Sequence, residues 1–323
     1  MKVFITGGSG LIGTALTDAL LRRGDVPIVL SRDAQRATER LGPDVLVVEG
    51  DPAEYGEWVG RLDGCDGVVN LAGEPVFGKR WNDRQKERLR TSRVAATDNV
   101  VRAIGSAAAR PGVLVNASAI GYYGNVPEGE LTEGARVGDD FLARTCDEWE
   151  QAAQTARQHG TRVAVVRIGV VLARDGGALR QMITPFKFGL GGPVGFGRQW
   201  VSWIHLQDLV GVFLAALDRP QLEGVINATA PQPVRNKEFS KCLARALRRP
   251  CLFPVPPFML RLMFGEVARV VTGGQKVLPE RLRREGFAFQ FADCQAAMND
   301  LFQRPRGGEA ASASDAPENE VAS

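Results

Sequence analysis

The chain has 323 residues, 44% of them hydrophobic, and 40 basic against 37 acidic side chains give a net charge of +3. That length accommodates one large core, or a core with a small satellite domain, and the mixed-sign charge offers no electrostatic case for nucleic acid as a partner. Five cysteines, at 65, 146, 242, 251 and 294, form no C-x-x-C pair, which argues against a disulfide framework or structural zinc and for a reducing cytoplasm. The first apolar run turns to glycine after Thr6, too soon for a signal peptide, and no run reaches the length that spans a bilayer, so no membrane partner is expected.

In chain order, runs rich in β-branched residues recur as KVFIT, VPIVLS, DVLVVEG, GVVNLAG, GVLVNAS and RVAVVRIGVVL. Amphipathic or Ala-rich segments lie between them, notably 82–107 and 138–159. The β-α-β-α alternation predicts an α/β fold, a doubly wound Rossmann sheet of parallel strands with helices on both faces. Residues 1–172 form the expected cofactor domain, to which 201–235 returns with the helix WIHLQDLVGVFLAAL and the strand GVINATA. Residues 173–200 read as a glycine-rich loop. With 236–303 they make a smaller substrate or cap region, which holds a helix capped at Asn236, then a mostly helical segment and a short strand. The tail 304–323, with only acidic charges after Arg306, is expected to be disordered.

The first strand runs through TGGSGLIG into a helix, and that context makes a glycine pattern informative. Gly7, Gly10 and Gly13 suit in turn a tight turn, close approach to a pyrophosphate, and helix–strand packing, and the amides of Leu11 and Ile12 open the helix toward the phosphates. At the end of the second strand Ser31 and Arg32, with Arg36 one turn on, suit a 2′-phosphate, which favours NADP(H) over NAD(H); Asp33 argues the other way. Asp51 is a candidate for the adenine end. Leu71, Ala72 and Gly73 follow the fourth strand, where small residues let a cofactor lie against the backbone.

With TGGSGLIG, NLAG, NASAIGYYG and WIHLQDLV in this order, the chain resembles the extended short-chain dehydrogenase/reductases. NLAGEPV, RWNDRQKERLRTSRV, CDEWE and LPERLRREGFAFQF are similar to the atypical branch called the epimerase family, whose small C-terminal domain lacks an assigned role. The resemblance implies a nicotinamide cofactor and hydride transfer to or from a small-molecule substrate, with Ser/Thr, Tyr and Lys as the catalytic set. It puts Cys146 and Glu150 where the family has Tyr-x-x-x-Lys, and Glu150 reverses the charge that lowers the phenol's pKa. Ser118 matches the family's substrate-binding hydroxyl, and Tyr122 or Tyr123 is the candidate replacement acid, with a packing role as the competing reading.

Around the pocket, Arg93 is a candidate for an anionic group, and Lys86 shares its helix face. His205 and Asp208 lie in the segment that the resemblance makes structural, and His159 suits a helix C-terminus. Trp200, Trp203, Phe186, Phe188 and Phe196 form an expected apolar wall, and glycines at 189, 191, 192, 195 and 197 would let the loop close as a lid, unless it packs on its own domain. The hydrophobic stretch around Arg261, Glu266 and Arg269 suits a cap helix or a homodimer contact better than a membrane surface.

Overall fold

A computed structural model describes residues 1–174 and 176–303. The N-terminal part comprises β1 (Lys2–Thr6), α1 (Leu11–Arg22), β2 (Val26–Ser31), α2 (Ala34–Leu41), β3 (Leu46–Glu49), β4 (Gly67–Asn70), α3 (Asp83–Ser106), β5 (Val113–Ala119), β6 (Val126–Leu131), α4 (Phe141–Gln154) and β7 (Arg162–Ile168). There follow β8 (Val170–Leu172), α5 (Gly177–Lys187), β9 (Trp200–Val201), β10 (Trp203–His205), α6 (Leu206–Asp218), β11 (Gly224–Ala228), β12 (Val234–Arg235) and α7 (Asn236–Leu247). The C-terminal region adds α8 (Pro257–Phe264), α9 (Ala268–Thr272), β13 (Gln275–Val277), α10 (Glu280–Arg284) and α11 (Cys294–Gln303).

Seven strands pair in parallel in the order β11-β7-β5-β4-β1-β2-β3. Successive strand residues point to opposite faces, so Val3 and Ile5 pack with Leu16 and Leu20 of α1 and Phe213 of α6. Phe4 packs with Trp58, and on its face lie Val100 and Ile104 of α3. Both faces of the sheet are therefore buried under helices, as an all-parallel sheet requires. A third apolar cluster joins α5, α7 and α11 around the fully buried Trp203.

Three expectations are corrected. RVAVVRIGVVL is not one strand: it breaks at Gly169, where a Cβ would stand 2.7 Å from the Ser202 carbonyl oxygen, and β8 leaves the main sheet to pair with β10. The stretch 173–200 is not all loop, since it contains α5. Asn236 is the first residue of α7 and not its cap; its Oδ1 accepts from the Val194 amide at 2.8 Å and ties the 188–199 segment to α7. The expected disordered tail lies outside the described residues. Among the described residues no helix is long and apolar enough to cross a membrane.

Candidate functional site

The glycines between β1 and α1 form a cradle that side chains would fill. Gly7 has φ +67°, and a Cβ there would meet the Leu71 carbonyl at 2.7 Å; a Cβ on Gly13 would lie 2.4 Å from the Gly7 oxygen. Gly10 is the N-cap of α1 without any side-chain cap, and the intrahelical bonds begin with the Thr14 amide donating to the Gly10 carbonyl at 2.9 Å. The amides of Leu11, Ile12 and Gly13 are thus left for an external acceptor at the positive end of the helix dipole.

At the end of β2, Asp33 is the N-cap of α2, its Oδ1 accepting from the Arg36 amide at 2.9 Å, while the Ser31 hydroxyl donates to the Asp33 carbonyl at 3.0 Å. A structural task thereby accounts for the carboxylate that argued for NAD(H), and the side chains of Arg32 and Arg36 are exposed. Asp51 accepts from the Ala53 amide at 2.9 Å. Arg93, half-buried, donates to the Leu89 and Glu74 carbonyls at 2.9 and 3.0 Å and lies against Gly73, so it fixes the segment after β4; burial lowers its pKa. Lys79 beside Glu74 holds that carboxyl below its usual range.

Beneath this segment lies a buried hydrogen-bonded web. The Thr6 hydroxyl donates to Asn70 Oδ1 at 2.5 Å, and Asn70 Nδ2 lies 2.8 Å from Thr97 Oγ1 and 2.7 Å from Asn116 Oδ1. The Trp149 indole donates to the same Thr97 oxygen at 2.9 Å. These polar groups fix the C-terminal ends of β1, β4 and β5 relative to one another.

Where the family resemblance puts a lysine, Glu150 is buried and paired. Arg167 on β7 grips it in a fork, Nε to Oε1 and Nη2 to Oε2, each at 2.8 Å, and the Ser118 hydroxyl donates to Oε1 at 2.6 Å. Arg167 also donates to the Tyr123 hydroxyl at 2.9 Å, which donates to Asn227 Oδ1 at 2.7 Å. Although burial opposes its charge, bonding to Glu150 raises the Arg167 pKa. The reversed charge at Glu150 is therefore cancelled locally and does not act on the pocket as an isolated carboxylate.

Cys146 is buried one turn before Glu150, and its thiol is pushed up to about 12, first by burial and then by that carboxylate, so it is an inert packing residue. The two tyrosines separate: Tyr123 is 2% exposed and its pKa is raised by burial, whereas Tyr122 is half-exposed, its ring stacked 3.3 Å from the Arg167 guanidinium carbon. Ser118, Tyr122, Glu150 and Arg167 are brought together at the C-terminal edge of β5 and β7.

Other candidates stand apart. His205 is buried, its Nδ1 accepting from the Gln207 amide and its ring 4.0 Å from that of Phe291, while the two oxygens of Asp208 take the Gln290 and Phe291 amides at 2.8 and 3.0 Å. This joins α6 to the C-terminal region. His159 packs over Gly105 of α3, and Lys86 pairs with Glu266 at 2.7 Å.

The expected aromatic wall and lid are corrected in part. Trp203 and Phe186 are buried in the third cluster, and Trp200 is stacked against Arg235 at 3.8 Å. The glycines at 191, 192 and 197 serve close packing against Phe186, the Phe253 backbone and Lys237, where a Cβ would come within 2.2, 2.0 and 2.7 Å. They lock the loop and do not free it.

Sequence reasoning missed Arg167 and Asn227. Arg167 carried a signal: it is the one charge inside the apolar run VAVVRIG, and Glu150 lies on the buried face of α4, so two opposite charges face inward. Buried charges occur in pairs.

A doubly wound parallel sheet with an uncapped, glycine-walled helix N-terminus after its first strand defines a dinucleotide-binding α/β protein. More narrowly, this chain belongs to the NAD dependent epimerase/dehydratase family, whose model matches residues 3–228; residues 255–301 match a domain of unknown function (DUF1731). It is 42% identical over 309 residues to the epimerase family protein SDR39U1 homolog, chloroplastic, of Arabidopsis thaliana, covering 94% of this chain and 87% of that protein. A crystal structure of the human epimerase family protein SDR39U1 with NADPH superimposes with a TM-score of 0.84 at 35% identity, covering 94% of this chain and all of that one. A nucleoside-diphosphate sugar epimerase from Corynebacterium glutamicum gives 0.76 at 34% identity, covering 94% of this chain and 58% of that chain.

Proposed function

We propose that the chain is an NADP(H)-dependent oxidoreductase that passes a hydride to or from a small polar carbonyl or hydroxyl compound. The carrying observation is the cradle at Gly7 and Gly13, which no side chain could share, beside a β2 edge whose one carboxylate is occupied as a helix cap. The amides of Leu11, Ile12 and Gly13 would hold the diphosphate, Ser31, Arg32 and Arg36 the 2′-phosphate, and Asp51 the adenine end. Leu71, Ala72 and Gly73, fixed by Arg93, would line the path toward Ser118. The human relative's crystallisation with NADPH supports the same assignment. Bound there, the cofactor supplies hydride; the protein must orient the substrate and move one proton.

Tyr122, half-exposed at the edge of β5 and β7, would give or take that proton. Arg167, stacked against its ring, would hold the phenol in place. Ser118, buried, directs its own proton to Glu150 and would accept from a substrate hydroxyl. Residues 173–200 and 236–303 would form the substrate or cap region. The five free thiols support a reducing, cytoplasmic setting.

Thermal unfolding with NADPH and with NADH tests the cofactor: a larger rise in midpoint with NADPH, reduced by Arg32→Ala, is expected, and equal shifts would refute the phosphate argument. NADPH consumption against a carbonyl panel tests the chemistry, with turnover expected to fall in Tyr122→Phe. A second reading, a cofactor-binding protein without turnover, is favoured by the inert Cys146 thiol and the locked Glu150. Tight NADPH binding with no consumption, unchanged in Tyr122→Phe, would establish it over the first.

A further inference from the structure

We propose that the cap carries a peripheral docking surface for an anionic lipid bilayer, which lies flat on α8 and the adjoining 188–196 loop. Every residue of α8 is left unburied: Phe258, Leu262 and Met263 are 69%, 74% and 60% exposed, and Leu252, Phe188 and Phe196 add 69%, 76% and 87%. These segments are contiguous. The Val255 amide donates to the Pro193 carbonyl at 2.8 Å, the Gly195 amide donates to the Val255 carbonyl at 2.9 Å, and Pro257 lies against Gly195. A folded monomer rarely leaves such a patch to water.

Charge identifies the occupant. The chain as a whole is nearly balanced, yet five Lys or Arg, at 187, 198, 248, 249 and 261, lie in or beside the patch, against Glu128, which lines the same groove as Phe196, and Glu266, which is paired with Lys86. Lys187 precedes Phe188, Arg198 lies over the Phe196 ring, Arg248 and Arg249 precede Leu252, and Arg261 sits within α8. A second copy meeting this face about a two-fold axis would set one cationic surface against another. Residues 304–323 contain one large apolar side chain, Val321, too little for that segment to cover it. An anionic bilayer offers both an apolar interior and a negative surface, and exposed Phe and Leu beside Lys and Arg are the composition that lies in such an interface. The cap helix is tied to the rest of the molecule by Arg80, which donates to the Leu262 and Met263 carbonyls, and by the Lys86–Glu266 pair.

The test is flotation of the full chain with vesicles of phosphatidylcholine containing phosphatidylglycerol, against phosphatidylcholine alone. Recovery with the anionic vesicles should be about tenfold higher and fall as salt is raised. Phe258→Glu with Leu262→Glu should abolish it, and Arg248→Ala with Arg249→Ala should weaken it several-fold. Both pairs should keep the parent's thermal midpoint and its shift with NADPH, because none of these side chains is buried or near the cradle. Equal recovery from both vesicle types, or no flotation, would overturn the proposal, and a dimer in light scattering that the two glutamates dissociate would assign the face to a second copy instead.

Discussion

At the residue scale, where the family resemblance implies a Tyr and a Lys for proton transfer, Cys146 is a buried thiol and Glu150 half of a buried ion pair. Arg167 neutralises Glu150, so removing either partner strands the other. Arg167→Met should cost about 3–5 kcal/mol in urea unfolding, and adding Glu150→Gln should restore part of it, because breaking a buried pair costs more than replacing it. The thiol gives a pH signature. Its folded-state pKa of about 12 stands above the ordinary 9.0, so the folded chain holds the proton more tightly than the unfolded one. That contribution is complete below pH 9.0 and is lost as pH rises toward 12, so wild-type stability should fall more steeply over that window than that of Cys146→Ala. Native Cys146 should also resist alkylation. The exchange of residue types was legible in the chain, since CDEWE gives both letters. Their partner was not: Arg167 reaches Glu150 only because β7 lies beside β5, a neighbourhood seventeen residues of separation does not announce.

At the element scale, the cofactor end of the fold was the most legible part. The strand–glycine–helix unit is local, and each glycine's role follows from its own φ or from a neighbour a few residues away, apart from the contacts of Gly7 with Leu71 and of Gly8 with Val29. Gly13→Ala should therefore remove the NADPH-induced rise in midpoint, because the added methyl meets the Gly7 oxygen. Asp33 was legible as a residue but not as a cap, since a carboxylate at the end of β2 reads equally well as a ribose ligand. Asp33→Ala should lower stability by about 1 kcal/mol while leaving the NADPH shift in place, the pattern of a lost N-cap and not of a lost ligand. The break at Gly169 was invisible because RVAVVRIGVVL is uniformly apolar apart from its arginines. What ends the strand is the approach of the Ser202 backbone, thirty-three positions away.

At the scale of the whole molecule, α/β class and order along the chain were readable from alternation, but the attachment of the C-terminal region was not. It depends on contacts between distant segments: Asp208 with the Gln290 and Phe291 amides, β13 beside β6, and Arg80 and Lys86 on the cap. Releasing the last of these should be felt locally. Arg80→Ala with Lys86→Ala should speed limited proteolysis within 257–272 while global unfolding shifts by about 1 kcal/mol or less, since exposed polar contacts contribute little to overall stability. The position of β11 carries a consequence for biosynthesis. The strand that flanks β7 is made only at residues 224–228, so a nascent chain that has already emitted β1 to β7 presents a bare, apolar β7 edge to the crowded exit of the ribosome. Ribosome-bound chains stalled before residue 224 should then recruit holding chaperones that chains stalled well past 228 release.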